Sequence, residues 1–114
     1  MFDNMGIGID IVEVSQFREK IYSKNIEFYQ NIFSPNEIQY CLKFQDPYPH
    51  FAGKFAIKEA VIKSISENVL LLDIETNYLS SKPIVELKQN IYKFLVSISN
   101  EKDIAVGVVI SFKI

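Results

Sequence analysis

Three charged residues have the types and spacing to act on an anionic substrate. Glu59 and Lys63 stand four residues apart in residues 51–64, a stretch with helical composition, and therefore share a face. Ala52, Ala56 and Ala60 lie on that side, and their small size lets something approach closely. Phe51, Phe55, Ile62 and Ile65 form a bulky opposite face that can anchor the helix in a core. Asp10 belongs to an alternating segment. Met5, Ile7, Ile9 and Ile11 point one way, and Gly6, Gly8, Asp10 and Val12 the other. The expectation is a strand with a packed isoleucine face and a bare glycine face, where a ligand or another backbone comes close to Asp10. Two carboxylates suit a hard divalent cation such as Mg²⁺, with waters and phosphate oxygens completing its shell. Lys63 would meet a phosphate oxygen. On spacing alone, an ordinary surface pair of Glu59 and Lys63 is the simpler account, worth a few tenths of a kcal/mol.

The elements that must position these groups read as follows. Residues 5–12 form a strand. Residues 13–24 look helical, with Val14, Phe17 and Ile21 as the apolar stripe and Arg18, Lys20 and Lys24 on a basic outer side. Spacing alone makes that side a solvated face. A short helix or turn follows over 25–32. Ser34, Pro35 and Glu37 mark a helix start with a capping box, running to about Phe44. Residues 45–49 make a loop, with Pro49 in the first turn of the key helix, which ends near Glu67 and Asn68. Strands are expected at 70–76 and 83–87, a short helix at 88–94, and two strands joined by a hairpin turn at 100–103. The last strand is the longest alternation. Ile104, Val106, Val108, Ile110, Phe112 and Ile114 share one face, suiting either a shared sheet or the chain's own core. The expected fold class is α+β, an antiparallel sheet with helices packed on one side.

Length and composition bound the function. The 114 residues suggest one domain, 1–114, and 48% hydrophobic content supplies a core. A formal charge of −2, no Trp and scattered aromatics argue against nucleic-acid binding. Cys41 is the only cysteine, which excludes an internal disulfide and suits a reducing compartment; it reads as a buried helix residue. No signal-like or membrane-spanning run occurs, so a soluble, cytoplasmic protein without membrane contact is expected. Gly6-x-Gly8 lacks the third glycine of a dinucleotide fingerprint. His50, the only histidine, precedes the key helix and suits a loop or capping role. Lys58, near the bulky face, would snorkel outward along its stem.

Five ordered segments carry a resemblance. They are Gly6-Ile7-Gly8-Ile9-Asp10-Ile11-Val12-Glu13; Phe33-Ser34 with Glu37, Tyr40 and Cys41; Phe51-Ala52-Gly53-Lys54-Phe55-Ala56 with Lys58-Glu59-Ala60 and Lys63; Ser81-Lys82-Pro83; and Val96-Ser97-Ile98-Ser99 before the long apolar strand. Together they resemble the holo-[acyl-carrier-protein] synthases, the short branch of the phosphopantetheinyl transferases. The resemblance implies Mg²⁺-dependent transfer of 4′-phosphopantetheine from coenzyme A to a serine of apo acyl carrier protein, releasing adenosine 3′,5′-bisphosphate. It makes Asp10 and Glu59 metal ligands and, with Lys63, the catalytic set. Either Glu59 or a metal-bound water would take the serine proton. It assigns coenzyme A contacts to Lys54, Lys58, Ser81, Lys82, Pro83, Ser99 and Asn100. It makes Arg18, Lys20 and Lys24 docking residues for the acidic carrier protein, and it implies a homotrimer with coenzyme A in clefts between subunits.

Four positions depart from the family's pattern. Gln16 stands where arginine is frequent in the docking helix. Lys54 replaces an arginine and gives up bidentate phosphate geometry. Ser81 stands in place of glycine in the Gly-Lys-Pro turn. Asn100 replaces a histidine and cannot carry charge. The last three bear on coenzyme A affinity rather than on the acids. The alternative they raise is a divergent paralogue that binds coenzyme A or a carrier protein without catalysis.

Overall fold

The computed structural model describes residues 2–89 and 91–114. Strand β1 (Met5–Glu13) leads through α1 (Ser15–Arg18), α2 (Ile26–Gln30) and α3 (Pro35–Leu42) to the long helix α4 (Tyr48–Ser64). Strands β2 (Ile74–Leu79), β3 (Lys82–Leu87), β4 (Tyr92–Glu101) and β5 (Ile104–Lys113) follow. Among the described residues every strand pairing is antiparallel. β5 lies between β1 and β4 in one sheet, and β2 and β3 form a separate hairpin. The chain is therefore α+β, with α4 laid on one face of the three-stranded sheet.

Glycines set how α4 lies. A Cβ on Gly6 would sit 1.8 Å from the Ser64 carbonyl oxygen, and one on Gly8 would sit 1.9 Å from that of Ala60. On Gly107 it would approach the Ala56 carbonyl carbon to 2.8 Å, whereas at Gly53 the nearest atom is Ile98 Cγ2 at 3.5 Å. The helix thus crosses the sheet obliquely, its C-terminal end over β1, its middle over β5 and its N-terminal end over β4. Strand and helix backbones come this close only where no side chain intervenes.

This arrangement bears out one expectation and overturns another. The bare face of β1 receives another backbone, that of α4, and Ala52, Ala56 and Ala60 are fully buried there and leave no room for a ligand. The isoleucine face is the outer one. Ile7, Ile9 and Ile11 are 70%, 55% and 64% exposed, and they pair in register with Ile110, Val108 and Val106 on the same face. The even-numbered residues of β5 accordingly lie outside this chain's own core, and Ala105, Val109 and Ser111 lie within it.

Two clusters make the core. Phe17, Tyr29, Phe33 and Phe51 pack between the short helices and the first half of α4, with the Tyr29 and Phe51 rings 4.6 Å apart. Ile57, Val61, Ile74, Val85, Leu87 and Val109 join the second half of α4 to both sheets. Cys41 is buried in α3, as its sequence suggests.

Local differences have identifiable causes. The helix expected over 13–24 stops after Arg18, and only a 3₁₀ turn forms at Tyr22–Lys24. The Tyr29 hydroxyl lies 3.0 and 2.8 Å from the Phe17 and Lys20 carbonyls, acceptors that a continuing helix would need. Val14 and Phe17 are buried as expected, and Ile21 is exposed. The capping box at Ser34 and Glu37 forms, and α3 ends at Leu42. Helix α4 ends at Ser64, where Ile65 turns extended and the Ser64 carbonyl accepts the Ser111 hydroxyl at 2.9 Å. Residues 71–73 are a 3₁₀ turn before β2. The helix expected at 88–94 is replaced from Tyr92 onward by β4, which pairs with β5 from Lys113 back to Ile104; Asn90 lies outside the described residues. Pairing along ten residues overrides a weak local helix signal. The β4–β5 turn is tighter than expected, since Glu101 already pairs with Ile104.

Candidate active site

β1 and α4 bring Asp10, Glu59 and Lys63 together at one edge of the sheet. Asp10 pairs in register with Gly107 and so points to the helix side. Lys63 Nζ lies 2.8 Å from Asp10 Oδ1 and donates to the Ile9 carbonyl at 3.0 Å. The ion pair of Lys63 is therefore with Asp10 across the sheet edge rather than with Glu59 along the helix. Asp10 is mostly covered and Lys63 half exposed, at 16% and 52% of their side chains, so the ammonium remains reachable by an incoming anion. Burial holds the Glu59 carboxyl above its ordinary value of 4.5; the Asp10 charge adds to this and Lys63 opposes it.

Two carboxylates that raise each other's energy, with hard oxygen donors, are a fitting donor set for a divalent cation. Among the described residues no group of three or more His, Cys, Asp and Glu could hold a metal, so waters or substrate oxygens would complete the shell.

Two lysines assigned to coenzyme A by resemblance are interior instead. Lys58 has no exposed side-chain surface. Its ammonium contacts Glu37 Oε1 at 2.7 Å and donates to the Ile32 and Leu71 carbonyls. It does not snorkel, because Glu37 supplies a counter-charge inside. The other Glu37 oxygen accepts the Thr76 amide and hydroxyl. Lys54 is 3% exposed, donates to Thr76 Oγ1 at 3.0 Å, and lies over the Tyr40 and Tyr78 rings. Burial lowers both lysines from their ordinary value, with Glu37 opposing. This network ties α3, α4 and β2 together. The i, i+4 spacing of Lys54 and Lys58 was its only sequence signal, and it did not reveal the inward direction.

The remaining coenzyme A candidates divide. Pro83 and Asn100 line a cleft of about 250 Å³ with Pro49, His50, Gly53, Tyr78 and Ile98, at the β4 edge of the sheet. His50 belongs to the first turn of α4, not to a preceding loop. Its ring stacks on Phe44 at 3.6 Å, and burial lowers its pKa. Asn100 Nδ2 reaches the Pro49 carbonyl at 3.4 Å. Ser81, in the β2–β3 turn, and Lys82, the first residue of β3, are exposed, and Ser80 and Ser81 have φ of 51° and 69°. That left-handed backbone explains why glycine suits position 81. Ser99 pairs with Val106 on the outer face, so its side chain points away from Asn100.

Arg18, Lys20 and Lys24 are all exposed, on the segment after β1. Arg18 is paired bidentately with Asp46 at 3.0 and 2.8 Å, and Lys20 sits over the Phe28 ring. A larger hollow of about 750 Å³ lies between α3 and the residues before it, lined by Tyr22, Phe33, Pro35, Ile38, Leu42 and Leu72. It contains neither acid, so chemistry rather than volume locates the site.

Residues 6–109 match the 4′-phosphopantetheinyl transferase superfamily. The chain is 37% identical over 115 residues to a holo-[acyl-carrier-protein] synthase of Chlamydia caviae, covering 92% of this chain and 94% of the relative. It is 39% identical over 109 residues to one from Thermodesulfovibrio yellowstonii, with 92% and 96% covered. Among solved structures, the Bacillus anthracis synthase in complex with CoA (3′,5′-ADP) superposes with a TM-score of 0.81 at 30% identity, covering 96% of each chain. The Helicobacter pylori synthase in complex with coenzyme A gives 0.77 at 31%, covering 90% of this chain and 96% of that one.

Proposed function

Because the chain belongs to the 4′-phosphopantetheinyl transferase superfamily and is an enzyme of its holo-[acyl-carrier-protein] synthase family, we propose that it moves the 4′-phosphopantetheine of coenzyme A to a serine of apo acyl carrier protein, with Mg²⁺, releasing adenosine 3′,5′-bisphosphate. The observation that carries the site is the Asp10–Lys63 pair beside a Glu59 carboxyl held above its ordinary value. Asp10 and Glu59 would hold the cation, which when bound supplies positive charge at the diphosphate. The serine oxygen attacks the phosphorus bearing the pantetheine, and the bond from that phosphorus to the bridging oxygen breaks. Negative charge develops on the leaving nucleotide. Lys63, half exposed beside Asp10, is placed to meet it; a preorganised contact of this kind is worth roughly 10²–10³ in rate. The serine proton passes to Glu59 or to a water beside it.

The same reading makes residues 1–114 one cytoplasmic domain acting as a homotrimer. No helix of the described residues is long and apolar enough to cross a membrane. The outer face of Ile7, Ile9 and Ile11, continued by Leu95 at 60% exposure, supports self-association. The acids lie at the β1 edge and the Pro83–Asn100 cleft at the β4 edge, with β5 between them. One coenzyme A spans both most simply where the β1 edge of one copy meets the β4 edge of the next. Arg18, Lys20 and Lys24 would receive the acidic carrier, with Arg18 exchanging Asp46 for a carrier carboxylate.

Incubation with coenzyme A, Mg²⁺ and apo acyl carrier protein, followed by intact mass, tests the reading. One phosphopantetheine should be added to the carrier by the native chain and none by Glu59→Gln. No gain across several carriers at high coenzyme A would refute the transfer.

A further inference from the structure

The cleft at the β4 edge contains a group that no comparison assigns. Of its seven lining residues, two are prolines, two carry aromatic rings, and Asn100 offers an amide. Flat apolar walls with one amide suit a purine base. None of the seven carries a fixed charge. The nearby Lys54 ammonium is buried and bonded to Thr76, so it lends field to the cleft rather than contact. Among the described lining residues, His50 is thus the one group that becomes cationic on taking up a proton. Its ring is held by the Phe44 stack at 3.6 Å, with Tyr40 edge-on at 6.3 Å.

Resting on the transferase reading, we infer that His50 is the specificity-determining contact for the nucleotide end of coenzyme A, distinguishing a 3′-phosphorylated nucleotide from one with a free 3′-hydroxyl. The chemistry is that of a charge-assisted hydrogen bond. A protonated imidazole donates to a phosphate oxygen strongly, a neutral one weakly. The groups facing His50 are Phe44 and Tyr40 from the α3 side, Asp46 from the following loop and Lys54 from α4. Tyr78 and Asn100 share its cleft from β2 and β4. Burial lowers the imidazole pKa; Asp46 counters this and Lys54 adds to it. Preference for the 3′-phosphate therefore grows as pH falls below the ordinary histidine value of 6.5.

Calorimetric titration of the full chain with adenosine 3′,5′-bisphosphate and with adenosine 5′-monophosphate, from pH 5 to 8, tests this. Native protein, His50→Gln and His50→Phe are compared at each pH. The titration of the ligand phosphates is common to all three proteins and cancels in the comparison. The expected result is a native preference for the bisphosphate that exceeds that of both variants by roughly tenfold at low pH, the gap closing above neutrality. Variant preferences that track the native protein at every pH would overturn the inference, as would native protein that binds neither nucleotide. Transfer is assayed on the same samples. Loss of transfer with His50-dependent binding retained would refute the enzymatic reading alone.

Discussion

Gly8→Ala puts one methyl group between β1 and α4. The added Cβ would lie 1.9 Å from the Ala60 carbonyl oxygen, a backbone atom that cannot rotate away. A carbon–oxygen contact needs about 3.3 Å, so strand and helix must part by roughly 1.4 Å. Overpacking of this kind costs about 3 kcal/mol or more, and the urea midpoint should fall by roughly 1–3 M. The separation also acts on the site. It pulls Lys63, 2.8 Å from Asp10, out of contact and moves Glu59 with it. Displacements of about 1 Å typically cost about 10²-fold in rate. Transfer by the folded fraction should therefore drop by at least that factor. Gly53→Ala is the control, because its nearest neighbour is a flexible Ile98 methyl at 3.5 Å. Removing a helix-interior glycine there should be neutral or stabilising by up to about 1 kcal/mol. Denaturant unfolding of both variants, and a transfer assay on Gly8→Ala against the native chain, give the comparison. An unchanged midpoint and rate for Gly8→Ala would refute the account of how α4 is seated.

Other perturbations follow from the same contacts. Glu37→Gln strands the buried Lys58 ammonium and should destabilise by about 3–5 kcal/mol; Glu37→Gln with Lys58→Met should recover part of that loss in denaturant melts, and additive losses would count against a coupled pair. Glu59 binds its proton more tightly folded than unfolded, so its contribution favours folding below 4.5 and is lost as pH rises through the raised value. Metal-free Glu59→Gln should therefore melt above the native chain at neutral pH, with no gain at low pH, while Mg²⁺ raises only the native melting temperature. Ile9→Lys, on a side chain 55% exposed in one chain, should change the stability of an isolated subunit by no more than about 0.5 kcal/mol. In sedimentation it should dissociate the proposed trimer and stop transfer, and a trimer that persists would exclude this face as the interface.

Much of the fold was legible because local rules govern it. Ser34, Pro35 and Glu37 formed the capping box their types require. Pro49 sits in the first turn of α4, and the alternation over 104–113 became β5. The helix expected at 88–94 failed because long-range pairing decided that segment, and Ile21 was exposed because Tyr29 halted the helix before it.

By itself, the sequence determined which groups share a face: Asp10 with two glycines, Glu59 and Lys63 with three alanines. Periodicity does that without reference to anything distant. Which way each face looks depends on the partner, and only the tertiary structure decided it. The alanines and glycines meet one another, closing the space that spacing alone left open for a ligand. Lys54 and Lys58 turn inward because Thr76 and Glu37, far away in the chain, satisfy them there. His50 and Asn100, fifty residues apart, share a cleft because α4 crosses the sheet obliquely. The helix crosses that way because the glycines of β1 and β5 let the two backbones meet.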